Sequence, residues 1–197
     1  MLSLQIKSFF MDKIEKILYA SLKLIVKKGL HAVKISDIGK EANVGIGTIY
    51  KHFKDKEDIV QKLWIFQKED ESEFIFKEYT ADGTVKERFW FLWEKVIRYF
   101  ISHKDEYYFS YHFAASPILK EEVHDVAMED FLAFDAMFED GLAENLFKEN
   151  MSARYLRLYT FSSVNGWILW SFQQNLVFTD KKIEQLIQMA WDAIAKT

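Results

Sequence analysis

The chain lacks cysteine entirely, which excludes disulfide bonds and thiol chemistry. It has one proline and seven glycines among its 197 residues, so long segments contain none of the usual turn signals. Apolar residues in those segments recur at the three- and four-residue spacing of a helix, and half of all residues are hydrophobic. We therefore expect an all-α protein with a sizeable core, and the absence of cysteine fits a cytoplasmic location.

Motifs of catalysis and cofactor binding are missing as well. The chain has no Ser-His-Asp order and no glycine-rich phosphate loop, so we predict no catalytic residue, no cofactor and no enzymatic activity. One short segment does collect metal-ligand residue types: Glu121, Glu122, His124, Asp125 and Glu129. The alternative, a solvated acidic helix face, is favoured, and no metal site is predicted.

Residues 158–179 carry no charge, which raises the question of a membrane span. The segment is nevertheless too polar for a lone span, because it contains Ser162, Ser163, Asn165, Gln173, Gln174 and Asn175. We predict no membrane partner. No signal peptide is evident, and we interpret residues 1–10 as a helix extension or an upstream start.

Charge is distributed unevenly along the chain, although the net charge is only −4. Residues 1–60 carry 11 lysines against 7 acidic residues, a net of +4, and the remainder carries 15 basic against 23 acidic residues, a net of −8. A basic N-terminal part on an acidic remainder is typical of a DNA-reading domain attached to a sensor.

The most specific pattern is KISDIGKEANVGIGTIYKHFKDKED, residues 34–58. A short helix with Ile38 and Ala42 on one face leads into Asn43, which tolerates the left-handed backbone of a helix exit. Gly45 can cap a second short helix that buries Ile49 four residues before Phe53. Two short helices joined by a tight turn predict a helix-turn-helix, which places its second helix in the DNA major groove.

These residues resemble the TetR family of bacterial transcription regulators, and the resemblance covers about the first third of the chain. The matching residues are Asp37, Ile38, Ala42, Val44, Gly47-Thr48-Ile49-Tyr50, His52, Phe53, Lys56 and Glu57. The departures are Lys34 in place of a capping threonine, Gly39 in place of alanine, and Asn43 and Gly45 in the turn. The resemblance implies a three-helix DNA-binding head (residues 1–55) and a larger helical ligand-binding and dimerisation domain (residues 56–197).

DNA phosphates are bound by positive charges and backbone N–H groups, and base edges by short polar side chains. The resemblance implies that Thr48, Tyr50 and Lys51 face the groove and that Tyr50 and His52 touch the DNA backbone. Lys56 is expected to reach a phosphate at the start of the next helix. The predicted DNA-binding residues are Lys34, Ser36, Gly45, Ile46, Gly47, Thr48, Tyr50, Lys51, His52 and Lys56.

Residues 64–138 are rich in aromatic side chains, which can line an apolar pocket, although packing as ordinary core is the simpler interpretation for each one. The predicted ligand-binding residues are Trp64, Trp90, Trp93, Tyr107, Tyr108, Tyr111, His112, Phe131, Phe134 and Phe138. In the family the last two helices form a four-helix bundle with a second subunit. The predicted dimer residues are Ser162, Ser163, Gly166, Trp167, Trp170, Ile183, Leu186 and Ile187.

These features together predict a homodimeric, ligand-responsive repressor that binds a near-palindromic DNA operator and is released by a small apolar or aromatic effector. Three alternatives remain open. In the first, the protein is an activator or needs its ligand to bind DNA. In the second, it is a helical small-molecule binding protein without sequence-specific DNA binding. In the third, which no motif supports, it is an enzyme.

Overall fold

The computed structural model of the chain describes residues 12–196, so the interpretation of residues 1–10 lies outside the described part. The described residues are helical as expected, and among them the only β pairing is an isolated bridge between Phe147 and Ala195. The α-helices are α1 (Lys13–Lys28), α2 (Ile35–Ala42), α3 (Ile46–His52), α4 (Lys56–Phe76), α5 (Val85–Ser102), α6 (Lys104–Phe113), α7 (Glu121–Met128), α8 (Leu132–Ala143), α9 (Ala153–Gln173) and α10 (Asp180–Ile194). Short 3-10 turns occupy Leu30–Ala32 and Glu129–Phe131. No helix between residues 12 and 196 is long and apolar enough to cross a membrane.

Local capping explains where several helices begin. The Asp12 side chain accepts from the Glu15 N–H at 2.8 Å, and the Glu15 carboxylate accepts from the Asp12 N–H at 3.0 Å, a capping box that starts α1. Thr84 and Glu87 form the same arrangement at α5, and the hydrogen bonds from Thr84 lower the pKa of the Glu87 carboxyl. Helix α1 ends at Gly29, whose φ of 78° suits glycine.

The described residues divide into two compact units. The first unit comprises residues 12–68 and Lys104–Ala127. Its core joins the apolar stripe of α1, the buried faces of α2 and α3, and the first half of α4. Phe109 of α6 is fully buried in the same core, so the helix-turn-helix is packed together with a segment far away in the sequence.

The second unit comprises Glu69–His103 and residues 128–196, and its core is strongly aromatic. The Trp93 ring lies 4.3 Å from the ring of Phe161 and 5.6 Å from that of Phe134, centroid to centroid. Beside this core, Arg88 donates to Asp140 at 2.7 Å. Burial lowers the pKa of the Arg88 guanidinium, but hydrogen bonds with Asp140 and Tyr79 more than offset this, so the pKa lies above its ordinary value.

One prediction about the helices is wrong. The pattern after Ser116-Pro117 predicts a single helix reaching about residue 147, whereas the chain forms turns up to Lys120, then α7, a 3-10 turn and α8. The turns are held by backbone bonds from Ser116 N–H to Phe113 O (2.8 Å) and from Leu119 N–H to Ser116 O (3.1 Å). Helix α8 continues through Gly141, and the Phe147 ring fills the space where a Cβ would be.

Candidate nucleic-acid interface and ligand-binding residues

The turn between α2 and α3 has the geometry of a helix-turn-helix. Asn43 ends α2 in the left-handed conformation, with φ 53° and ψ 47°, and the Val44 N–H donates to the Gly39 carbonyl at 2.9 Å. Gly45 is extended and accepts from the Thr48 N–H at 2.9 Å, which starts α3. A Cβ on Gly39 would lie 3.0 Å from the Val44 carbonyl oxygen, so glycine here permits the tight turn.

Helix α3, the reading helix, has a buried side and an exposed side. Ile49 is fully buried, and Phe53 just beyond the helix is buried as well. On the other side Tyr50 is 57% exposed and Ile46 48% exposed, both unusually open for large apolar side chains. A Cβ on Gly47 would meet no heavy atom within 4 Å, so the backbone there is open to close approach by another molecule.

The predicted DNA-binding residues fall into two groups by exposure. Six are exposed: Lys34, Gly45, Ile46, Gly47, Tyr50 and Lys51. Four are half-buried: Ser36, Thr48, His52 and Lys56. The reading helix therefore presents a short continuous surface with Tyr50 and Lys51 near its C-terminal end.

Lys56 makes contacts within the protomer that the sequence did not predict. Its ammonium group donates to the carbonyl oxygens of Leu30 (3.1 Å) and Val33 (3.0 Å), which joins the start of α4 to the turn before α2. The N-terminus of α4 is also capped by Asp55, whose carboxylate accepts from the Asp58 N–H at 2.8 Å. A phosphate at this helix end would compete with that carboxylate, and the contact of Lys56 with a phosphate stays a prediction.

A second lysine of α4 holds the end of the reading helix. Lys62 Nζ donates to the His52 carbonyl and to the Asp58 carboxylate, both at 2.9 Å, and lies 5.1 Å from the centre of the Phe53 ring. Burial raises the pKa of Asp58, but hydrogen bonds from the Lys54 N–H and from Lys62 outweigh it, so the pKa lies below its ordinary value. These contacts, which sequence reasoning missed, fix the reading helix to α4.

The predicted ligand-binding residues are divided between the two units. Trp64, Tyr107, Tyr108, Tyr111 and His112 belong to the first unit, and the remaining five, Trp90, Trp93, Phe131, Phe134 and Phe138, to the second. Tyr111 and His112 are exposed on α6, and Trp90 and Tyr108 are half-buried. The other six are buried: Trp64, Trp93, Tyr107, Phe131, Phe134 and Phe138.

Buried polar atoms without a hydrogen-bond partner identify one residue that the aromatic pattern did not predict, Gln67. The indole N–H groups of Trp64 and Trp93 are buried and find no hydrogen-bond partner in the described part of the chain. The same is true of both side-chain amide atoms of Gln67. Gln67 escaped prediction because it lies in the polar run QKEDESE, where nothing in the sequence indicates burial.

Two grooves lie on the second unit. One, of about 470 Å³, is bordered by Ser72, Phe76, Tyr79 and Asp130, with Ser72 Oγ donating to the Asp130 carboxylate at 2.8 Å. The other, of about 360 Å³, lies between the start of α9 and the end of α10, next to the exposed rings of Tyr155 and Tyr159. The described residues contain no group of three or more histidine or acidic side chains placed to hold a metal ion, so the Glu121–Glu129 segment does not form one.

The predicted dimer residues also separate by exposure. Ser162, Ser163, Gly166 and Trp170 are exposed on α9, with Trp170 53% exposed, whereas Trp167 is half-buried. The three α10 residues of the prediction are buried within the protomer: Ile183, Leu186 and Ile187. Three α9 residues outside the predicted set are exposed as well: Tyr155, Leu158 and Tyr159. Which of these residues contact a second copy stays a prediction.

Comparison with known proteins connects this geometry to a family. Residues 17–63 match the model of the bacterial regulatory proteins of the tetR family. Residues 84–195, more than half of the chain, match the tetracyclin repressor-like C-terminal domain. The two matches cover the helix-turn-helix and most of the helices that follow α4.

Individual proteins that are similar to this chain are regulators as well. The fatty acid metabolism regulator protein of Bacillus subtilis is 24% identical over 184 residues, which is 89% of this chain and 93% of that protein. A TetR family transcription regulator from Marinobacter aquaeolei has the same fold, with a TM-score of 0.84, 18% identity and coverage of 94% of this chain and 96% of that one. The transcriptional regulator FadR from Bacillus subtilis, solved in complex with stearoyl-CoA, has a TM-score of 0.73 and 20% identity over 90% of this chain and 95% of its own.

The helix-turn-helix geometry and both family matches lead to one conclusion. This chain belongs to the TetR family of bacterial transcriptional regulators.

Proposed function

We propose that the protein is a ligand-released repressor that binds a near-palindromic operator as a homodimer. The observation that carries the proposal is the exposed side of the reading helix, where Tyr50, Lys51 and the open backbone at Gly47 face solvent while Ile49 and Phe53 fix the helix from behind. Two such helices in a symmetric dimer would enter successive major grooves roughly 34 Å apart.

We propose a long-chain acyl compound as the effector. The full-length relative is named for fatty acid metabolism, and the FadR structure was solved with stearoyl-CoA. The buried aromatic side chains of this chain suit an elongated apolar ligand. Such a ligand releases DNA only if it binds the DNA-free form more tightly than the DNA-bound form.

The test is a binding titration against DNA from just upstream of the coding region, at two salt concentrations, with and without stearoyl-CoA. We expect sequence-selective binding to DNA. This binding should weaken as the salt concentration rises, because phosphate contacts release counterions. It should also weaken when stearoyl-CoA is added. Binding no tighter than to random DNA would contradict the operator assignment. Unchanged operator binding at saturating stearoyl-CoA and also at saturating stearate would contradict the acyl effector.

A variant pair identifies the reading surface in the same assay. Replacing Tyr50 and Lys51 together by alanine should abolish selective binding without unfolding, because both side chains are exposed. The matched control is Lys181→Ala, which removes an exposed lysine of the second unit and should leave operator affinity unchanged. A folded double variant with full operator affinity would refute the assigned reading helix.

A further inference from the structure

Helix α4 carries two buried polar side chains, one turn apart, that have no hydrogen-bond partner among the described residues. Gln67 is 4% exposed, and neither its Oε1 nor its Nε2 is bonded. Trp64 is 2% exposed, and its Nε1–H is also unpaired. Buried polar atoms are almost always satisfied in native proteins, so three unpaired atoms within one helical turn make this turn a candidate contact for another molecule.

The surroundings of this turn, all within the first unit, limit what that molecule can be. The Trp64 ring lies 6.4 Å from the ring of Phe109 and is stacked on His124 at 6.1 Å, centroid to centroid. Lys68, itself only 8% exposed, holds its ammonium nitrogen 5.0 Å from the centre of the Trp64 ring. The unpaired N–H groups of Gln67 and Trp64 favour an oxygen that accepts hydrogen bonds, and the aromatic walls favour an apolar remainder.

We propose that Gln67 and Trp64 form the polar anchor of the effector site, with Gln67 Nε2–H and Trp64 Nε1–H donating to the carbonyl oxygen of an acyl group. This inference rests on the proposed ligand-responsive function and deepens it by naming the recognised group. The acyl carbonyl is shared by a thioester and a free fatty acid, so the experiment includes both.

The position of the anchor gives it a direct route to the reading helix. Gln67 lies five residues after Lys62, about 8 Å along the same helix, and both belong to the first unit. Lys62 holds the last carbonyl of the reading helix, that of His52, at 2.9 Å. A ligand group bound at Gln67 therefore acts on the helix that fixes the DNA-contacting surface.

The test measures direct binding of stearoyl-CoA and of stearate to the full-length protein and to Gln67→Leu, which removes both amide atoms at similar volume. We expect at least a tenfold loss of affinity for one or both probes. A loss confined to stearoyl-CoA assigns the thioester, and a loss confined to stearate assigns the free acid. The matched control is Gln61→Leu on the same helix, which should bind both probes as the unaltered protein does.

A second measurement on the unaltered protein does not depend on how the variant folds. The Trp64 indole N–H resonance, assigned by its absence in Trp64→Phe, should shift on addition of the acyl probe that binds. Unaltered affinity in Gln67→Leu together with an unshifted indole resonance would overturn the anchor while leaving ligand-controlled DNA release intact. An unaltered protein that binds neither probe would overturn both the anchor and the acyl effector.

Discussion

At the scale of single residues, asparagine takes over positions that glycine often occupies in other helical proteins. The chain has five asparagines, and four of them, Asn43, Asn145, Asn150 and Asn175, have φ between 52° and 61°. Asparagine adopts the left-handed conformation at lower cost than other residues with a Cβ, because its short polar side chain can hydrogen-bond locally. A chain with few glycines can therefore still end its helices sharply.

Asn43 is the position where this preference bears on function. Asn43→Ala should lower the free energy of unfolding by about 1 kcal/mol, because alanine is strained at this φ, whereas Asn43→Gly should be close to neutral. Denaturant unfolding of the two variants measures the difference. Equal stability of the alanine and glycine variants would show that the turn does not depend on the left-handed conformation.

Asp58 gives the first unit a dependence on pH. Its pKa in the folded protein lies below the ordinary value of 3.8, so its carboxylate stabilises the fold above that pH, and the contribution is lost as pH falls through the lower, folded pKa. At neutral pH Asp58→Asn should lose about 1 to 2 kcal/mol of stability through its weakened bonds to Lys54 and Lys62. Unfolding curves for both proteins should converge in acid; a gap that stays constant down to pH 2 would contradict the assignment.

At the scale of elements, the close approach of the Phe147 ring to α8 leaves room only for glycine at position 141. A Cβ at this position would overlap the Phe147 ring, which itself packs 5.7 Å from the rings of Phe138 and Trp191 and has little room to move. Gly141→Ala should therefore destabilise the second unit by about 1 to 3 kcal/mol despite its better helix propensity.

Thermal unfolding of Gly141→Ala beside Gly166→Ala provides the check. Gly166 is also in a helix, but a Cβ there would meet nothing within 4 Å of the protomer, so its alanine variant should not lose intrinsic stability. If the two variants melt at the same temperature, the Phe147 ring moves aside more readily than its contacts indicate.

Some of the helices and their packing follow from local sequence patterns, and others do not. The two short helices beside Asn43 follow from local spacing and from the left-handed helix exit at Asn43, and the sequence predicted both. The break between α7 and α8 could not be predicted, because no glycine or proline marks it. The packing of Lys104–Ala127 with the helix-turn-helix was missed as well, since it depends on contacts between segments distant in the sequence.

The candidate sites divide in the same way. The exposed side of the reading helix is set by local helical spacing around Ile49, and Tyr50 and Lys51 lie on it. Their contact with DNA stays a prediction. Lys56 was predicted to bind DNA because it lies at a helix start, but its ammonium group donates hydrogen bonds to carbonyl groups of the preceding turn. Gln67 is identified only by its burial, which depends on the tertiary structure.

At the scale of the whole molecule, the exposed side of α9 is the surface we propose for pairing two copies. Tyr155, Leu158, Tyr159 and Trp170 are each more than half exposed in the protomer, and the small residues Ser162, Ser163 and Gly166 lie between them. Antiparallel pairing about a two-fold axis near Ser162 would set Tyr155 opposite Trp170 of the second copy. Large rings at both ends and small residues at the centre suit such an arrangement.

Gly166→Glu should convert the dimer into monomers, because it places a charge at the centre of this face without touching the protomer's own core. Sedimentation velocity measures the assembly, and circular dichroism verifies that the helices remain. Gly166→Ala is the matched control and should stay dimeric. A folded Gly166→Glu variant that still sediments as a dimer would move the interface elsewhere.

The open rings on α9 have a consequence for how the regulator responds to its own abundance. Pairing through this face ties stability to mass action, so the melting temperature should rise with protein concentration. When protomers are scarce relative to the dimer dissociation constant, the concentration of the DNA-competent species varies with the square of the protomer concentration. A modest fall in synthesis would then release the operator more steeply than it would for a regulator that reads DNA as a single chain.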